Sequence, residues 1–340
     1  MADDTAVTFS RKDYQTDQEV RWCPGCGDYS ILAAVQLLFA EIGLRPENQV
    51  FVSGIGCAAR FPYYMETYGI HSIHGRAPAV ATGVAIARPD LDVWVIGGDG
   101  DMLSIGGNHL IHALRRNVGV KIVMFNNQIY GLTKGQFSPT SETGKITKSS
   151  PFGSLDTPFN PVSVALGAEA TFVARTHDMD RKHMMETLRR AYEHEGAAFV
   201  ELYQNCNVFN DGAFETITAK DTRADMLIDL VHGAPIRFGA DGEKGVILNE
   251  FGECEIVAVA DVGEDRLLVH DEHRADPSLA FAISRLAHVP TMPTPVGVFR
   301  DVARPVYEEA VQIQLAAASE RNGPGDLGAL LASGSTWTVD

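Results

Sequence analysis

Asp99, flanked by glycines in Gly97-Gly98-Asp99-Gly100-Asp101, and Asn127, in the pair Asn126-Asn127, each stand at the end of a short apolar, β-rich run. A carboxylate and an amide oxygen, joined by a backbone carbonyl such as that of Ile129, form a hard oxygen set. Diphosphate oxygens would complete it into the octahedron that a magnesium ion takes. The glycines allow close approach of backbone to phosphate, and a helix start beyond them adds positive potential. The five cysteines, at 23, 26, 57, 206 and 254, are the second chemical group. Cys23-Pro24-Gly25-Cys26 reads as a metal clamp or a redox motif. Cys57 lies in a glycine-rich loop after the run Val50 to Ser53, and Cys206 follows the run Ala198 to Tyr203. By count, four thiolates suit zinc and an iron-sulfur cluster equally. Cys254 is left over and is expected to be a small core residue.

These residues need elements that bring them together. Val93 to Ile96 and Val120 to Phe125 read as buried parallel strands, with a helix predicted from Ser104 to the basic, glycine-terminated end Arg115-Arg116-Asn117-Val118-Gly119. A right-handed βαβ crossover places Asp99 and Asn127 side by side at the carboxyl edge of a sheet, where open α/β sheets bind ligands. Other helices are expected at Tyr29 to Ile42, started by Asp28 and stopped by Gly43, at Ala77 to Ala87, at Pro161 to Leu166 and at Asp178 to His194. Strands are expected near Thr171 to Arg175 and at Ala198 to Tyr203. The fold class is α/β, a doubly wound, mostly parallel sheet. Ser138 to Pro161, rich in Ser, Thr, Gly and Pro, reads as a long loop near the site.

The organisation expected is an arm at 1–19, a cofactor domain at 20–210 and a carboxyl-terminal extension at 211–340. Within the extension, Val246 to Leu248 and Glu255 to Ala260 read as strands, Pro277 to Ala287 as a helix and 321–340 as a tail. His270-Asp271-Glu272-His273 reads as a charged exposed turn and not as a metal site. With 340 residues, 45% hydrophobic content and a net charge of −16, the chain can bury a substantial core, while its charge argues against nucleic acid and anionic membrane surfaces. No apolar run approaches the ~20 residues that span a bilayer. An acidic amino terminus without an apolar core segment leads us to expect a cytoplasmic protein with reduced thiols.

Gly98-Asp99-Gly100 through Asn126-Asn127 resembles the thiamine diphosphate signature. Cys23-Pro24-Gly25-Cys26, Gly54-Ile55-Gly56-Cys57 and His74-Gly75-Arg76-Ala77 resemble the β subunit of 2-oxoacid:ferredoxin oxidoreductases, over roughly residues 20 to 210. The runs Ser104 to Asn117 and Gly131 to Thr140 are similar to the 2-oxoglutarate branch in particular. The resemblance implies a diphosphate-binding module with cofactor contacts from Gly54, Ile55, Gly56, Cys57, His74, Gly98, Asp99, Gly100, Asp101, Asn127, Ile129, Tyr130, Gly131, Leu132 and Thr133. It implies magnesium (Mg2+) on Asp99, Asn127 and Ile129, and a 4Fe-4S cluster on Cys23, Cys26, Cys57 and Cys206. The reaction implied is reversible oxidative decarboxylation of 2-oxoglutarate, with coenzyme A as co-substrate, to succinyl-CoA and carbon dioxide, the electrons passing through the cluster to ferredoxin. Pyruvate or a branched-chain 2-oxoacid is the alternative substrate.

Burying the second carboxylate of 2-oxoglutarate requires a fixed cation or several donors. Lys134, just after the magnesium loop, and Arg60, beside Cys57, are the candidates, and the resemblance implicates Leu132 with Lys134. His74 opens a His-Gly-Arg turn before a small-residue helix and is the candidate for an acid-base or polar role, whereas His71, His109 and His112 are weaker candidates, the last two being expected to pack or to lie at an interface. The chain carries only the diphosphate module, so the resemblance implies a partner α subunit with the pyrimidine-binding module, in an αβ or (αβ)2 assembly.

Overall fold

The computed structural model describes residues 8–288 and 291–339. Residues 1–7 of the expected arm, and 289, 290 and 340 of the extension, lie outside the described residues. Five runs with every residue buried or nearly so form the centre of the sheet: β1 (Gln49–Ser53), β3 (Asp92–Gly98), β4 (Val120–Asn126), β5 (Phe172–His177) and β6 (Ala198–Tyr203). Continuous Val, Ile and Phe runs of this kind need cover on both faces. Among the described residues the sheet has the order β2-β1-β3-β4-β6-β5-β11-β7, with β2 at Tyr68–His71, β7 at Leu227–Asp229 and β11 at Thr294–Asp301. All neighbours are parallel except β11, which runs antiparallel to β5.

Two cores result. On one face, α2 (Ala77–Ala87), α4 (Gly107–Arg116), α5 (Pro161–Gly167) and α10 (Ser278–Arg285) pack Ala81, Leu110, Leu114, Val162 and Ile283 against Val95, Ile122 and Phe199. On the other, α1 (Asp28–Ile42), α6 (Arg181–Glu193) and a 3-10 helix at Ala58–Tyr64 pack Ile31, Leu38, Leu188 and Phe61 against Phe51, Trp94 and Phe125. This is the expected doubly wound α/β architecture.

The details differ at several places. The helix expected from Ser104 begins five residues earlier, as α3 (Asp99–Leu103), and restarts as α4 at Gly107. The poor helix formers Gly106 and Gly107 stand at that break, and Ser104 leaves helical geometry with ψ at −107°. Asp99 is therefore the first residue of a helix and not part of a loop. Helix α6 starts only at Arg181, because Asp178 still donates its N–H to Tyr203 (3.0 Å) and Asp180 caps the helix by accepting from His183 N. The extension is less separate than its sequence suggests, since β7 and β11 complete the main sheet. A three-stranded antiparallel sheet follows, with β8 (Arg237–Phe238), β9 (Lys244–Leu248) and β10 (Cys254–Ala258). The strand expected to reach Ala260 turns instead into α9 (Val259–Val262), and the helix expected to Ala287 tightens to a 3-10 turn at Leu286–His288. Short helices α7 (Glu215–Thr218) and α8 (Arg223–Met226) follow β6. Helix α11 (Tyr307–Asn322) precedes the tail, within which Asp326 caps α12 (Leu327–Leu331).

Candidate functional site

The carboxyl ends of β1, β3 and β4 open onto one cleft lined by Ile55, Gly56, Cys57, His74, Gly98, Asp99, Gly100, Asp101, Asn127, Ile129, Tyr130, Gly131, Leu132 and Thr133. Of the cofactor residues expected from sequence, only Gly54 is absent from this wall. Gly54 works one layer behind it, since a Cβ there would lie 2.0 Å from Asp101 Oδ2.

Asp99 is buried, and its Oδ2 accepts hydrogen bonds from Ser138 Oγ and Thr140 Oγ1, both at 2.5 Å. Burial pushes its carboxyl up to about 6, while the two hydroxyls pull in the other direction. Such a carboxylate gains from a cation that replaces its lost hydration. Across the gap, Ile129 N donates to Asn127 Oδ1 (3.2 Å), and Asn127 Nδ2 donates to Gln204 Oε1 (2.8 Å). The loop that carries Asn127 turns through Gln128, whose φ of 56° is left-handed. Gly100 has no room for a side chain, because its Cβ would lie 2.1 Å from Cε1 of Tyr130, whose hydroxyl donates to Gly100 O at 3.1 Å.

Asp101 has a different task. Its Oδ1 accepts from Gly75 N (2.7 Å) and Ile55 N (3.2 Å) and pairs with His74 Nδ1. Its Oδ2 is buried without a partner among the described residues. Asp101 therefore fixes the His74 ring and leaves Nε2 as the ring atom available in the cleft.

The four expected cluster cysteines converge beside this cleft. Cys23 and Cys26 form a turn closed by Cys26 N donating to Cys23 O (3.0 Å). A Cβ on Gly131 would lie 3.6 Å from Cys57 Sγ and 3.7 Å from Cys206 Sγ, so both sulfurs reach the loop that follows the magnesium candidates. Burial raises the Cys26 thiol, helped by the charge of Asp28; burial pushes Cys57 up to about 12, with Asp28 and Cys206 adding to it. Thiols in this setting favour their neutral form, so binding a metal there releases protons. Cys254 stands apart on β10, partly buried against the core.

Among the substrate candidates, Leu132 lies on the cleft wall, 52% exposed. Lys134 is exposed on the adjoining turn in a left-handed conformation, with φ 76°. Arg60 turns away from the cleft: its Nε donates to Tyr64 OH (3.0 Å) and its guanidinium lies over the Tyr63 ring. His71 bonds Ser53 at 3.0 Å. The His270 to His273 stretch is not an exposed turn, because His270 and Glu272 are buried. Glu272 comes within metal-ligand range of His232 and His273, a third group that sequence reasoning missed. Both Glu272 oxygens nevertheless accept from Arg190 at 3.0 Å, so the cluster reads as a structural ion pair.

Sequence reasoning also gave no role to Ser138, Thr140 and Gln204. The first two lie in the quoted run Gly131 to Thr140, and a pair of hydroxyls two residues apart after a metal loop was the available signal. Gln204 has no such signal beyond its place at the carboxyl end of β6.

Comparison with known proteins gives concordant results. Residues 54–202 match the thiamine pyrophosphate enzyme C-terminal TPP binding domain. The chain is 58% identical to the 2-oxoglutarate oxidoreductase subunit KorB of Mycobacterium tuberculosis, over 97% of this chain and 88% of that one. It is 39% identical to the 2-oxoglutarate synthase subunit KorB of Methanocaldococcus jannaschii, over 55% and 70% respectively. A solved structure of a 2-oxoglutarate:ferredoxin oxidoreductase from Magnetococcus marinus, with 2-oxoglutarate, coenzyme A and succinyl-CoA bound, aligns over 98% of both chains with TM-score 0.74 and 33% identity. No helix of the described residues is long and apolar enough to cross a membrane.

Proposed function

Because this chain belongs to the KorB-type β subunits of 2-oxoacid:ferredoxin oxidoreductases, we propose that its cleft holds the diphosphate of thiamine diphosphate through Mg2+ and delivers electrons to a 4Fe-4S cluster. The enzyme oxidatively decarboxylates 2-oxoglutarate and forms succinyl-CoA. One observation carries the reading: Asp99, Asn127 and Ile129 share a wall with Cys57, and the loop of Asn127 and Ile129 places Gly131 against the Cys57 and Cys206 sulfurs.

The residues fit both groups. The buried Asp99 carboxylate, the Asn127 amide oxygen and the Ile129 carbonyl are the protein share of an octahedral magnesium site. Gly98 and Gly100 present backbone to the phosphates, at the start of α3. Cys23, Cys26, Cys57 and Cys206 make the four-thiolate set of a 4Fe-4S cluster. When bound, thiamine diphosphate supplies the carbanion stabilisation and the cluster supplies one-electron acceptance. The chain's own side chains do the rest. Asp99 and Asn127 fix the metal, Asp101 holds His74 by Nδ1, and His74 Nε2 can exchange a proton with a group in the cleft. Leu132 and Lys134, on the rim, recognise the 2-oxoacid, with Lys134 meeting its distal carboxylate. Arg60 faces Tyr63 and Tyr64 and contributes to shape more than to charge.

The β-subunit relatives imply an α subunit, which supplies the pyrimidine-binding module in an αβ or (αβ)2 assembly. Ferredoxin takes the electrons, coenzyme A takes the acyl group, and the enzyme works in the cytoplasm, where thiols stay reduced. Anaerobic co-purification with the α subunit, followed by iron, sulfide, zinc and thiamine diphosphate analysis, tests this. About four irons and one thiamine diphosphate per αβ unit are expected. Zinc without iron, or no thiamine, would overturn it. Comparing turnover of 2-oxoglutarate with pyruvate and branched-chain 2-oxoacids settles substrate choice.

A further inference from the structure

We infer that the Gln204 side-chain amide couples the magnesium site electrically to the cluster and sets the reduction potential of the cluster. The inference rests on the reading of both groups given above. Gln204 is buried, and its backbone N–H donates to Asn126 O (2.9 Å), which anchors it to the end of β4. Its side chain lies between the two candidate ligands Asn127 and Cys26. Asn127 Nδ2 donates to Gln204 Oε1 (2.8 Å), and Gln204 Nε2 donates to Cys26 Sγ (3.3 Å) and to Asn205 O (2.5 Å).

The direction of this chain is fixed by its first link. Ile129 N–H can only donate, so the Asn127 atom facing it is Oδ1 and the other is the donor Nδ2. Gln204 must then turn its oxygen to Asn127 and its N–H groups to the sulfur. Every dipole points the same way, from the magnesium ligand toward the thiolate.

Two physical consequences follow. An N–H donated to a cluster sulfur stabilises the reduced, more negative cluster and raises its potential. A cation on Asn127 Oδ1 polarises that amide, strengthens its N–H bond to Gln204, and passes a fraction of the effect to the Gln204 N–H on Cys26, as linked hydrogen bonds do at low dielectric. Loading of magnesium and thiamine diphosphate therefore makes the cluster a better electron acceptor. Gln204 touches neither substrate nor the reacting atoms, so it is a positioning residue.

The test is an anaerobic redox titration of the αβ complex, followed by the electron paramagnetic resonance of the cluster, with and without magnesium and thiamine diphosphate. Wild type should show a potential that moves in the positive direction when the cofactor is loaded. Gln204→Met keeps the side-chain length, removes donor and acceptor, and should give a more negative potential that no longer responds to the cofactor. A variant with wild-type iron content, potential and cofactor response would overturn the inference while leaving the proposed function intact. If Gln204→Met loses its iron, the wild-type titration decides, and a potential indifferent to cofactor rejects the coupling. A wild-type complex without iron rejects the cluster reading and this inference together.

Discussion

At the carboxyl edge of β3 and β4 small residues and short polar side chains hold backbone close to backbone, whereas at the far end of the sheet long charged side chains fill the space between strands. Gly100 lies under the Tyr130 ring, Gly131 lies against two sulfurs, and Asp99 is met by two hydroxyls. Around β5 and β11, Arg175 donates to Glu201 (2.7 Å) and to Pro295 O (3.0 Å), and Arg190 joins Glu272 to Asp301. The first region keeps room for a ligand and anchors it. The second turns the extension into part of the frame. Charge in the one is arranged to meet something that arrives, and in the other to cancel within the chain.

Breaking the frame should cost the most. Arg175→Met strands the fully buried Glu201 and removes the bond to β11, so unfolding in urea should show a loss of roughly 3–5 kcal/mol. If stability changed by less than 1 kcal/mol, the pair would not be the tie described here. Asp99→Asn attacks the ligand side. Loss of outer partners of a metal typically costs 10–100-fold, so loss of a ligand should weaken magnesium-dependent thiamine diphosphate binding by more than about a hundredfold, with stability little changed. Calorimetric titration of the complex checks it, and normal affinity would remove Asp99 from the metal site. Lys134→Ala tests the rim. Losing one charge-assisted bond should raise the KM for 2-oxoglutarate about tenfold and leave pyruvate unaffected. An unchanged preference between these acids would end its recognition role.

The opposite end of β4 sharpens the contrast through pH. Burial lowers the Lys121 ammonium to about 8. Above that value the fold gives up a proton that the unfolded chain keeps up to the ordinary lysine range. The Lys121 contribution to the stability of the apo protein should therefore rise, on the order of 1 kcal/mol, as pH climbs from about 8 toward 10, while the raised Cys26 and Cys57 thiols pull the total the other way; the stability difference between wild type and Lys121→Met should shift by that amount over this range. Smallest of all, Asp225→Ala removes an exposed pair with Lys244 and should change stability by less than about 1 kcal/mol.

The two regions also differ in how much of them could be read in advance. The edge was readable because its physics is local. A strand ending in Gly-Asp-Gly and another ending in Asn-Asn need only a crossover between them to meet, and the cysteines follow strands of the same sheet. The loop Ser138 to Pro161 was placed near the site from composition, yet Ser138 and Thr140 were not singled out, because no short-range pattern says which hydroxyls of a polar loop turn inward. The far end depends on contacts between distant segments. Thr294 to Asp301 is interrupted by Pro295 and Gly297, which hid a strand, and its partners β5 and β7 are distant in sequence, Arg175 of β5 lying 120 residues before Pro295. His270 and Glu272 looked exposed for the same reason, since His270 Nε2 meets Val298 O, 28 residues away, and Glu272 meets Arg190, 82 residues away.

The loop from Asn127 to Gly131 is short enough to act as a ruler. Ile129 belongs to the proposed magnesium site and Gly131 lies against the Cys57 and Cys206 sulfurs, so two residues, at most about 7 Å of chain, set the gap between them. Insertions and deletions accumulate easily in surface loops, but one here would shift both sites at once. The length of this segment, more than the identity of any side chain in it, is what selection has to hold constant.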